Sequence, residues 1–307
     1  MRIGLTGGGA TADRIVSQAE RAEADGFTSL WYPGAAGAGD PLPVMALAGR
    51  ATAAIELGTA VLPSYTCHPA LQASRANAVA SAIGTSGRFT LGIGPSHRVV
   101  IEDRLGLSYD TPGRHTDEYV QILTGLLRGE QVSFAGQEFR VEAGPLPLPA
   151  GAEIPVLVGA LGPRLLRVAG ARTAGTILWM ANATAIETHV APRIRKAAAD
   201  AGRPAPRIVA GLPVAVHDDV AEARAAAARQ FAVYGQLPNY QRILAHGGIA
   251  GPAEAVIVGA EDSVAAQVRA LFEAGATDVW AAPFAVGDDA AASRARTRAL
   301  LASLARD

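Results

Sequence analysis

The sequence predicts an α/β fold: a (β/α)8 TIM-type barrel with inserted loops after strands 4 and 7. Three observations support this prediction. Short apolar runs alternate with helix-forming segments, the loop after each run is rich in Gly, Ser, Thr and Pro, and the length of 307 residues exceeds the roughly 250 that eight strand–helix units need. Alternation makes the strands parallel, so their C-terminal ends meet on one face, where we expect ligands to bind.

Turn residues and helix starts set the element boundaries in the first half. Strands 1 and 2 both run into turns of Gly and Pro, and Pro69 stands in the first turn of the third helix, where its missing N–H costs no hydrogen bond. The long segment 95–112 follows strand 4, and loops of this length usually carry function. In the next helix, Arg114 and Glu118 can pair one turn apart. The predicted order is strand 2–6, helix 11–25, strand 30–32, helix 42–54, strand 55–62, helix 69–83, strand 88–94 and helix 113–127.

The second half continues the alternation after a small hairpin, predicted at 132–141 around Ala135-Gly136. The proline-rich connector 146–152 is predicted as the hinge between two half-barrels, and segment 237–251 as a second irregular insert. No compositional break marks a second domain, so 1–307 is predicted to be a single domain. The remaining order is strand 154–158, a helix ending at 172, strand 176–180, helix 186–201, strand 208–216, helix 218–231, helix 262–274, strand 277–284 and a final helix from 289.

Composition narrows the range of partners. The net charge of −1, with mixed signs throughout, gives no basic patch for nucleic acid or an anionic membrane. Cys67 is the only cysteine, which excludes an internal disulfide, and His, Asp and Glu show no metal-ligand spacing. Strand 1 starts almost immediately after Met1, and no apolar run approaches the ~18 residues of a membrane span. We therefore expect a soluble, cytoplasmic protein that acts on a small molecule, without a metal, a nucleic acid or a membrane.

Two turns of small residues are candidate ligand contacts. Gly7-Gly8-Gly9 follows a strand and precedes a helix, but Ala12 stands where the third glycine of a dinucleotide fingerprint belongs. This turn is either a simple tight turn or a place where a ligand lies against the backbone, which Gly permits. Loop 159–163 opens a helix whose first N–H groups can bind an anion, and Arg164 can strengthen such a site. Many loops of this kind are only turns.

Histidines and tryptophans near strand ends are further candidates. His97 follows strand 4, where it serves proton transfer or a ligand hydrogen bond, or is a structural loop residue. His68 precedes the third helix and either caps it or takes part in the chemistry. Trp31, Trp179 and Trp280 fall near the ends of strands 2, 6 and 8 and predict an aromatic mouth for a flat ligand. Substrate contacts are predicted at Trp31 and Trp179.

Four segments together resemble a known family. In order they read LGTAVLPSYTCHPA (57–70), RFTLGIGPSHR (88–98), PGRHTDEY (112–119) and PVLVGALGPRLLRVAG (155–170). They resemble the luciferase-like flavin and deazaflavin oxidoreductases of the luciferase-like monooxygenase superfamily. The resemblance is greatest to the coenzyme F420-dependent branch that includes methylenetetrahydromethanopterin reductase. Each motif is loose alone, but their order and spacing extend the likeness over almost the whole chain.

The resemblance implies a barrel with the deazaflavin in its mouth. Strand 3 of such proteins often bulges at a non-proline cis peptide behind the ring, and Ala60 and Val61 match those positions. Segment 92–97 would flank the ring and ribityl chain, and loop 159–163 would bind the phosphate. With the first turn included, the predicted cofactor contacts are Gly7, Ala60, Val61, Leu62, Gly92, Ile93, Gly94, Pro95, Ser96, His97, Gly159, Ala160, Leu161, Gly162 and Pro163.

The implied activity is that of an F420-dependent oxidoreductase, which moves a hydride between the deazaflavin C5 and a small organic substrate. The substrate and the direction stay open. Two alternatives are an FMN-dependent monooxygenase on the same barrel and a flavin-binding protein without turnover.

One departure from the family pattern bears on catalysis. Some F420 enzymes carry an Asp-His pair past strand 2, where this chain has Tyr32-Pro33-Gly34-Ala35-Ala36. The acid/base role of that pair is therefore vacant or has moved, and His97 is the predicted catalytic residue in its place. The family commonly dimerises through helices 2 and 3, whose Ala, Gly and Ser residues here allow close approach, so a homodimer is expected.

Overall fold

Residues 1–34, 39–84, 87–147 and 153–307 are described by the structure, a computed structural model. Ala35 and Ala36 of the segment after strand 2, and 148–152 of the expected hinge, lie outside the described residues. The strands are β1 (Ile3–Thr6), β2 (Ser29–Tyr32), β3 (Glu56–Thr59), β4 (Leu62–Pro63), β5 (Phe89–Gly94), β6 (Val132–Ala135), β7 (Arg140–Ala143), β8 (Val156–Val158), β9 (Gly175–Trp179), β10 (Arg207–Val216), β11 (Ile257–Gly259) and β12 (Asp278–Pro283). The helices are α1 (Ala12–Ala24), α2 (Pro41–Ala51), α3 (Pro69–Ile83), α4 (Arg98–Ile101), α5 (Pro112–Leu127), α6 (Pro163–Arg172), α7 (Ala183–Ala185), α8 (Ala191–Asp200), α9 (Val220–Gln230), α10 (Pro238–His246), α11 (Pro252–Ala255), α12 (Glu261–Glu273) and α13 (Ala290–Arg306).

The central sheet is a closed barrel of parallel strands. Its order is β12-β1-β2-β3-β5-β8-β9-β10, and β10 pairs back onto β12. Strands β3 and β4 are two pieces of one barrel strand, since they pair with successive parts of β5. The predicted TIM-type barrel is confirmed, and each of the eight predicted strands takes one position in it.

Both inserts contain elements that were not predicted. Segment 95–112 holds α4, and the chain between α9 and α12 holds α10, α11 and β11, where we expected only an irregular insert at 237–251. Strand β10 pairs with β9 along its first half and with β11 over Val214–Val216. The second insert therefore packs beside the upper part of β10, next to the barrel mouth. Strand β11 has three residues, which is too short for alternation of apolar and polar residues to reveal it.

The surrounding helices bury one apolar side against the strands. In α1, the hydroxyl of Thr11 accepts the N–H of Arg14 at 3.3 Å, and Ile15, Ala19 and Ala22 are buried. Among the described parts of the chain, no helix is both long and apolar enough to cross a membrane.

Helix α5 holds the β6–β7 hairpin through a buried carboxylate. Glu118 accepts the backbone N–H groups of Gln137, Glu138 and Phe139 at 2.9, 2.8 and 3.0 Å. Arg114 pairs with Glu138 instead, at 2.6 Å. The expected Arg114–Glu118 pair is therefore wrong, because the turn of the hairpin offers the buried Glu118 several donors and a salt bridge along the helix surface gains little.

A charged cluster closes the N-terminal end of the barrel. Arg207 bridges Glu56 and Asp278, with its Nη1 2.8 Å from Glu56 Oε1 and its Nη2 2.6 Å from Asp278 Oδ1. Arg2 contacts the same two carboxylates at 2.6 and 2.7 Å. The hydroxyl of Thr90 donates to Glu56 Oε1 at 2.5 Å. With this end filled, a ligand can enter the barrel only from the opposite face.

Candidate active site

A cavity of about 890 Å³ opens at the C-terminal end of the barrel. It lies where the barrel strands end, between the long segment after β5 and helix α10 of the second insert. Its size is in the range of pockets that bind cofactors. The predicted residues that line it are Ala60, Val61, Gly94, Pro95, Ser96, His97, Gly159, Leu161, Gly162, Pro163 and Trp179.

Val61 occupies the centre of this wall. The Ala60–Val61 peptide bond is cis, as the resemblance implies, and it separates β3 from β4 where a continuous strand 55–62 was predicted. A Cβ atom added to Gly94 or Gly159 would lie 2.8 or 3.3 Å from Val61 Cγ2, and one added to Gly92 would lie 3.2 Å from Val61 Cγ1. The three glycines thus make room for the Val61 side chain, which reaches the cavity between them.

Several predicted cofactor contacts do not line the cavity, and their contact with a cofactor stays a prediction. Ile93 and Ala160 are fully buried, with their side chains in the core that includes the surrounding helices. For Ile93 the reason is that side chains alternate along a strand, here β5. Leu62 belongs to the same core. Gly92 lies below the cavity, where an added Cβ would be 1.9 Å from the carbonyl oxygen of Thr59.

Gly7 also lies away from this cavity. It borders a second cavity of about 490 Å³, next to Phe284 and Arg298. A Cβ at Gly7 would be 2.7 Å from the ring of Tyr32, so glycine at this position accommodates an aromatic side chain. The predicted cofactor contact at Gly7 has no support in the geometry.

The three tryptophans lie at two levels along the barrel axis. Trp31 is completely buried inside the barrel, and its Nε1 donates to Ser29 Oγ at 2.9 Å. It does not line the cavity, and the substrate contact expected at Trp31 stays a prediction. Trp179 and Trp280 do line the cavity, with ring centroids 5.0 Å apart. Tyr234 lies edge-on to Trp179. Trp179 and Trp280 make this part of the cavity wall apolar and aromatic, and Tyr234 packs on Trp179 from outside the lining.

The other end of the cavity is suited to an anion. Helix α6 begins there at Pro163, and its N-cap residue Gly162 provides no side-chain hydrogen bond. The N–H groups of its first turn therefore face the cavity side without a partner from the helix itself. Arg164 and Arg242 also line the cavity, and neither forms an ion pair or a hydrogen bond with another described residue.

His97 also lines the cavity. It stands three residues after the end of β5, and its ring lies 5.6 Å from that of Tyr240. Burial lowers the pKa of the His97 imidazole, while contact with Asn239 acts in the opposite direction. The ring is therefore neutral at neutral pH, as a proton acceptor must be.

Tyr109 orders the segment that carries His97. Its hydroxyl donates to the carbonyl oxygen of Ser96 at 2.8 Å, and burial raises the pKa of Tyr109 to about 12. The hydroxyl therefore remains protonated and keeps this hydrogen bond across the physiological range.

His68 and Cys67 lie outside the cavity lining. His68 is the N-cap of α3, where its Nδ1 accepts the N–H of Ala70 at 3.3 Å, so the capping alternative is the one observed. Cys67 is a free, partly exposed thiol.

Sequence reasoning missed the cavity residues of the two inserts. Tyr109 lies in segment 95–112, and Asn239, Tyr240 and Arg242 lie on α10. The length of both inserts indicated a functional role, and Pro238 marks the start of α10. Which side chains of an insert turn inward depends on how it packs on the barrel, which a local pattern does not encode.

The profile of the luciferase-like monooxygenase family matches residues 2–278. The chain belongs to this family. The family resemblance stated from the four segments is thereby confirmed. Within this luciferase-like fold, the cavity at the C-terminal ends of the strands is the candidate active site.

Individual relatives carry F420-dependent names. The chain is 29% identical over 216 residues to 5,10-methylenetetrahydromethanopterin reductase of Methanolobus tindarius, a match that covers 70% of this chain and 65% of the relative. It is 33% identical over 233 residues to F420-dependent hydroxymycolic acid dehydrogenase of Mycobacterium tuberculosis, covering 70% of this chain and 62% of the relative. Both matches span less than two thirds of the relative's length.

A solved structure shows the same fold over the full chain. It is an F420-dependent secondary alcohol dehydrogenase in complex with an F420-acetone adduct. It superposes with a TM-score of 0.82 at 17% sequence identity, covering 100% of this chain and 99% of that one. At this identity the likeness establishes the fold alone.

Proposed function

We propose that this luciferase-like protein is an F420-dependent oxidoreductase that transfers a hydride between the cofactor and a small organic substrate. The observation that carries the proposal is one cavity lined both by Trp179 and Trp280 and by the start of α6 with Arg164 and Arg242. Glu102, Asp103 and Asp110 line the same cavity, and Glu102 is paired with Arg98. F420 has the matching form, with a planar ring system joined through a ribityl chain to a phosphate. The names of the curated relatives support the same cofactor.

The residues present fit this cofactor. Val61 and Trp179 would contact the planar ring, and Gly162, Pro163 and Arg164 would hold the phosphate at the start of α6. When bound, the deazaflavin supplies a hydride donor or acceptor at its C5 carbon. The protein orients the ring and excludes water, and His97 is placed to hold or move a proton near the reacting carbon.

Two alternatives share the cavity. An FMN-dependent monooxygenase would use the same anion site, because FMN also ends in a phosphate, and the family name supports it. A flavin-binding protein without turnover would need the cavity but not His97. The three proposals differ in cofactor preference and in turnover.

A fluorescence titration of the purified protein with F420, FMN and NADPH tests the proposal. We expect F420 to bind at least about tenfold more tightly than FMN, which corresponds to roughly 1.4 kcal/mol. Tighter binding of FMN would refute the proposed function and leave the fold unaffected. Hydride transfer from reduced F420 to any substrate would exclude the non-catalytic alternative.

Replacing His97 with Phe is expected to lower kcat by roughly 10²-fold, the usual contribution of a positioned proton acceptor or donor, while F420 affinity changes little. Because burial lowers the pKa of His97, wild-type activity that needs the neutral ring should persist below pH 6.5, the usual pKa of histidine. The pH profile of kcat/KM should lose this acidic limb in the variant. An unchanged profile would remove His97 from the mechanism.

We also propose a homodimer through α2 and α3. These neighbouring helices expose Leu47 (52%) and Leu71 (58%), two large apolar side chains that a partner would cover. Sedimentation of the wild type and of Leu47→Glu tests this, since a monomeric wild type would refute it. A cytoplasmic location stays a prediction.

A further inference from the structure

We propose that His189 is a positioning residue that holds the phosphate-binding loop, defined as residues 159–163, in its binding conformation. The inference rests on the proposed function. The inference goes beyond the proposed function because it assigns a role to a side chain that does not line the cavity. His189 is 2% exposed, and its Nε2 lies 2.8 Å from the carbonyl oxygen of Leu161, in the middle of the loop.

The hydrogen bond fixes the tautomer of His189. A carbonyl oxygen can only accept, so Nε2 must carry the proton and donate it to Leu161. The other ring nitrogen, Nδ1, is buried and has no partner among the described residues. Burial lowers the pKa of His189, and the nearby His246 and Arg193 disfavour a second proton on the ring as well. The ring is thus a neutral donor with one fixed direction.

His189 also connects the loop to the opposite wall of the cavity. Its ring stacks on His246 with centroids 3.7 Å apart and an interplanar angle of 18°. His246 is the last residue of α10, the helix that places Asn239 and Arg242 at the cavity. The side chain of Asn182 donates to the carbonyl of the following residue, Gly247, at 3.0 Å. Segment 182–189 therefore contacts both the loop and the C-terminal end of α10, the two parts of the cavity wall that would enclose the anionic end of the cofactor.

The local backbone supports a specific role for this histidine. His189 lies in a π-helical turn, Ile186–Val190, between α7 and α8. Such turns are rare and often occur at functional sites. Pro192 contributes to the irregularity, because it has no N–H to donate to the carbonyl of Thr188 one turn earlier. The side chain of Arg193 lies 3.4 Å from that carbonyl instead.

The simpler alternative is that His189 only fills the core. The two roles predict different changes in the part of the binding affinity that comes from the phosphate. If His189 positions the loop, its replacement should lower the affinity for a ligand that carries the phosphate and leave the affinity for a ligand without it unchanged. If His189 only stabilises the core, both ligands should weaken together. The probes are F420 and the corresponding deazaflavin with a free ribityl hydroxyl and no phosphate.

One matched pair of variants makes the test. His189→Leu keeps volume and removes the donor, whereas His189→Gln keeps an amide N–H close to the position of Nε2. We expect His189→Leu to reduce the affinity ratio of F420 to the phosphate-free ligand by about tenfold, the effect of one lost hydrogen bond to a loop that binds a charged group. His189→Gln should stay within about threefold of the wild type. If His189→Leu does not fold, His189→Asn replaces it, because the shorter amide cannot reach Leu161.

Each result is decisive. An equal loss of affinity for both ligands, or an unchanged ratio in His189→Leu, would overturn the positioning role. The same reduced ratio in His189→Gln as in His189→Leu would also overturn it, because the donor would then be irrelevant. If the wild type binds F420 no better than the phosphate-free ligand, the phosphate contact of the proposed function fails, and the variants are not needed to show it.

Discussion

Replacing Arg164 with Gln is expected to weaken F420 binding by about 10- to 100-fold, because a hydrogen bond from a charged group contributes about 1.5–3 kcal/mol. Arg164 stands in the first turn of α6 at the cationic end of the cavity. The salt dependence of binding should also be smaller in the variant, while Arg242 and the start of α6 retain part of it. Fluorescence titrations at low and high ionic strength measure both effects.

The position of Arg164 argues for a ligand rather than for stability. A cation in the first turn of a helix is unfavourable, since the N-terminus already carries a partial positive charge. Arg164 forms no ion pair with a carboxylate among the described residues, although Glu102, Asp103 and Asp110 line the same cavity. We therefore expect Arg164→Gln to leave the fold as stable as the wild type, or more stable by about 0.3–1 kcal/mol, while binding weakens.

Arg167 provides the matched control for this prediction. It lies one turn further along α6, is exposed, and is absent from the cavity lining. Arg167→Gln removes the same charge from the same helix and should leave F420 affinity within about twofold, because this exposed side chain does not line the cavity and solvent and salt weaken its attraction for the ligand. Equal effects of the two substitutions would show that only net charge matters and would remove Arg164 from the site.

The sequence predicted the barrel because its evidence is local and repeated. Each strand is short and apolar, each following turn contains Gly or Pro, and the pattern recurs along the chain. Ala60, Val61 and loop 159–163 were singled out by the family resemblance, and all of them except Ala160 line the cavity. The phosphate contact itself stays a prediction.

The residues that the sequence misplaced are those for which the side-chain direction, or the level along the barrel axis, decides whether they reach the cavity. A local sequence pattern determines neither. Trp31 and Trp179 both lie near strand ends, yet only Trp179 reaches the cavity. Trp31 pairs in register with Gly58 of the next strand, and an added Cβ at Gly58 would be 2.3 Å from its ring. The level of a side chain in a closed barrel depends on the stagger of all the strands, which is a property of the complete sheet.

His189 shows a second limit. The helix after strand 6 was predicted as one regular element at 186–201, and nothing in its periodicity marks the π-helical turn that contains His189. The contact partner, Leu161, lies 28 residues earlier. Long-range hydrogen bonds of this kind become visible only once the fold places the two segments side by side.

Replacing Arg207 with Leu is expected to reduce the free energy of unfolding by about 3–5 kcal/mol, because it leaves two buried carboxylates without their main partner. The side chains of Glu56 and Asp278 are 7% and 2% exposed, and Arg207 bonds both. Arg2 remains, but its side chain is 51% exposed and solvent weakens its attraction. Urea denaturation measures the loss. As the control, Arg128→Leu breaks only the exposed pair with Glu130 and should cost less than about 1 kcal/mol.

The pH dependence of the free energy of unfolding distinguishes the loss of a charged partner from a simple packing defect. Burial raises the pKa of Asp278, but Arg207, with help from Thr277 and Arg2, outweighs burial, and that pKa lies below its ordinary value. In the wild type, this carboxylate therefore stabilises the fold above about pH 4, the pKa of an unfolded Asp, and the contribution is lost as the pH falls through the lower folded-state pKa. Without Arg207, burial dominates and the folded-state pKa rises, so the variant should lose stability as the pH increases from about 4 to 7. The difference between wild type and variant should thus be larger at pH 7 than at pH 4.5, and a difference independent of pH would show that the charged cluster is not its cause.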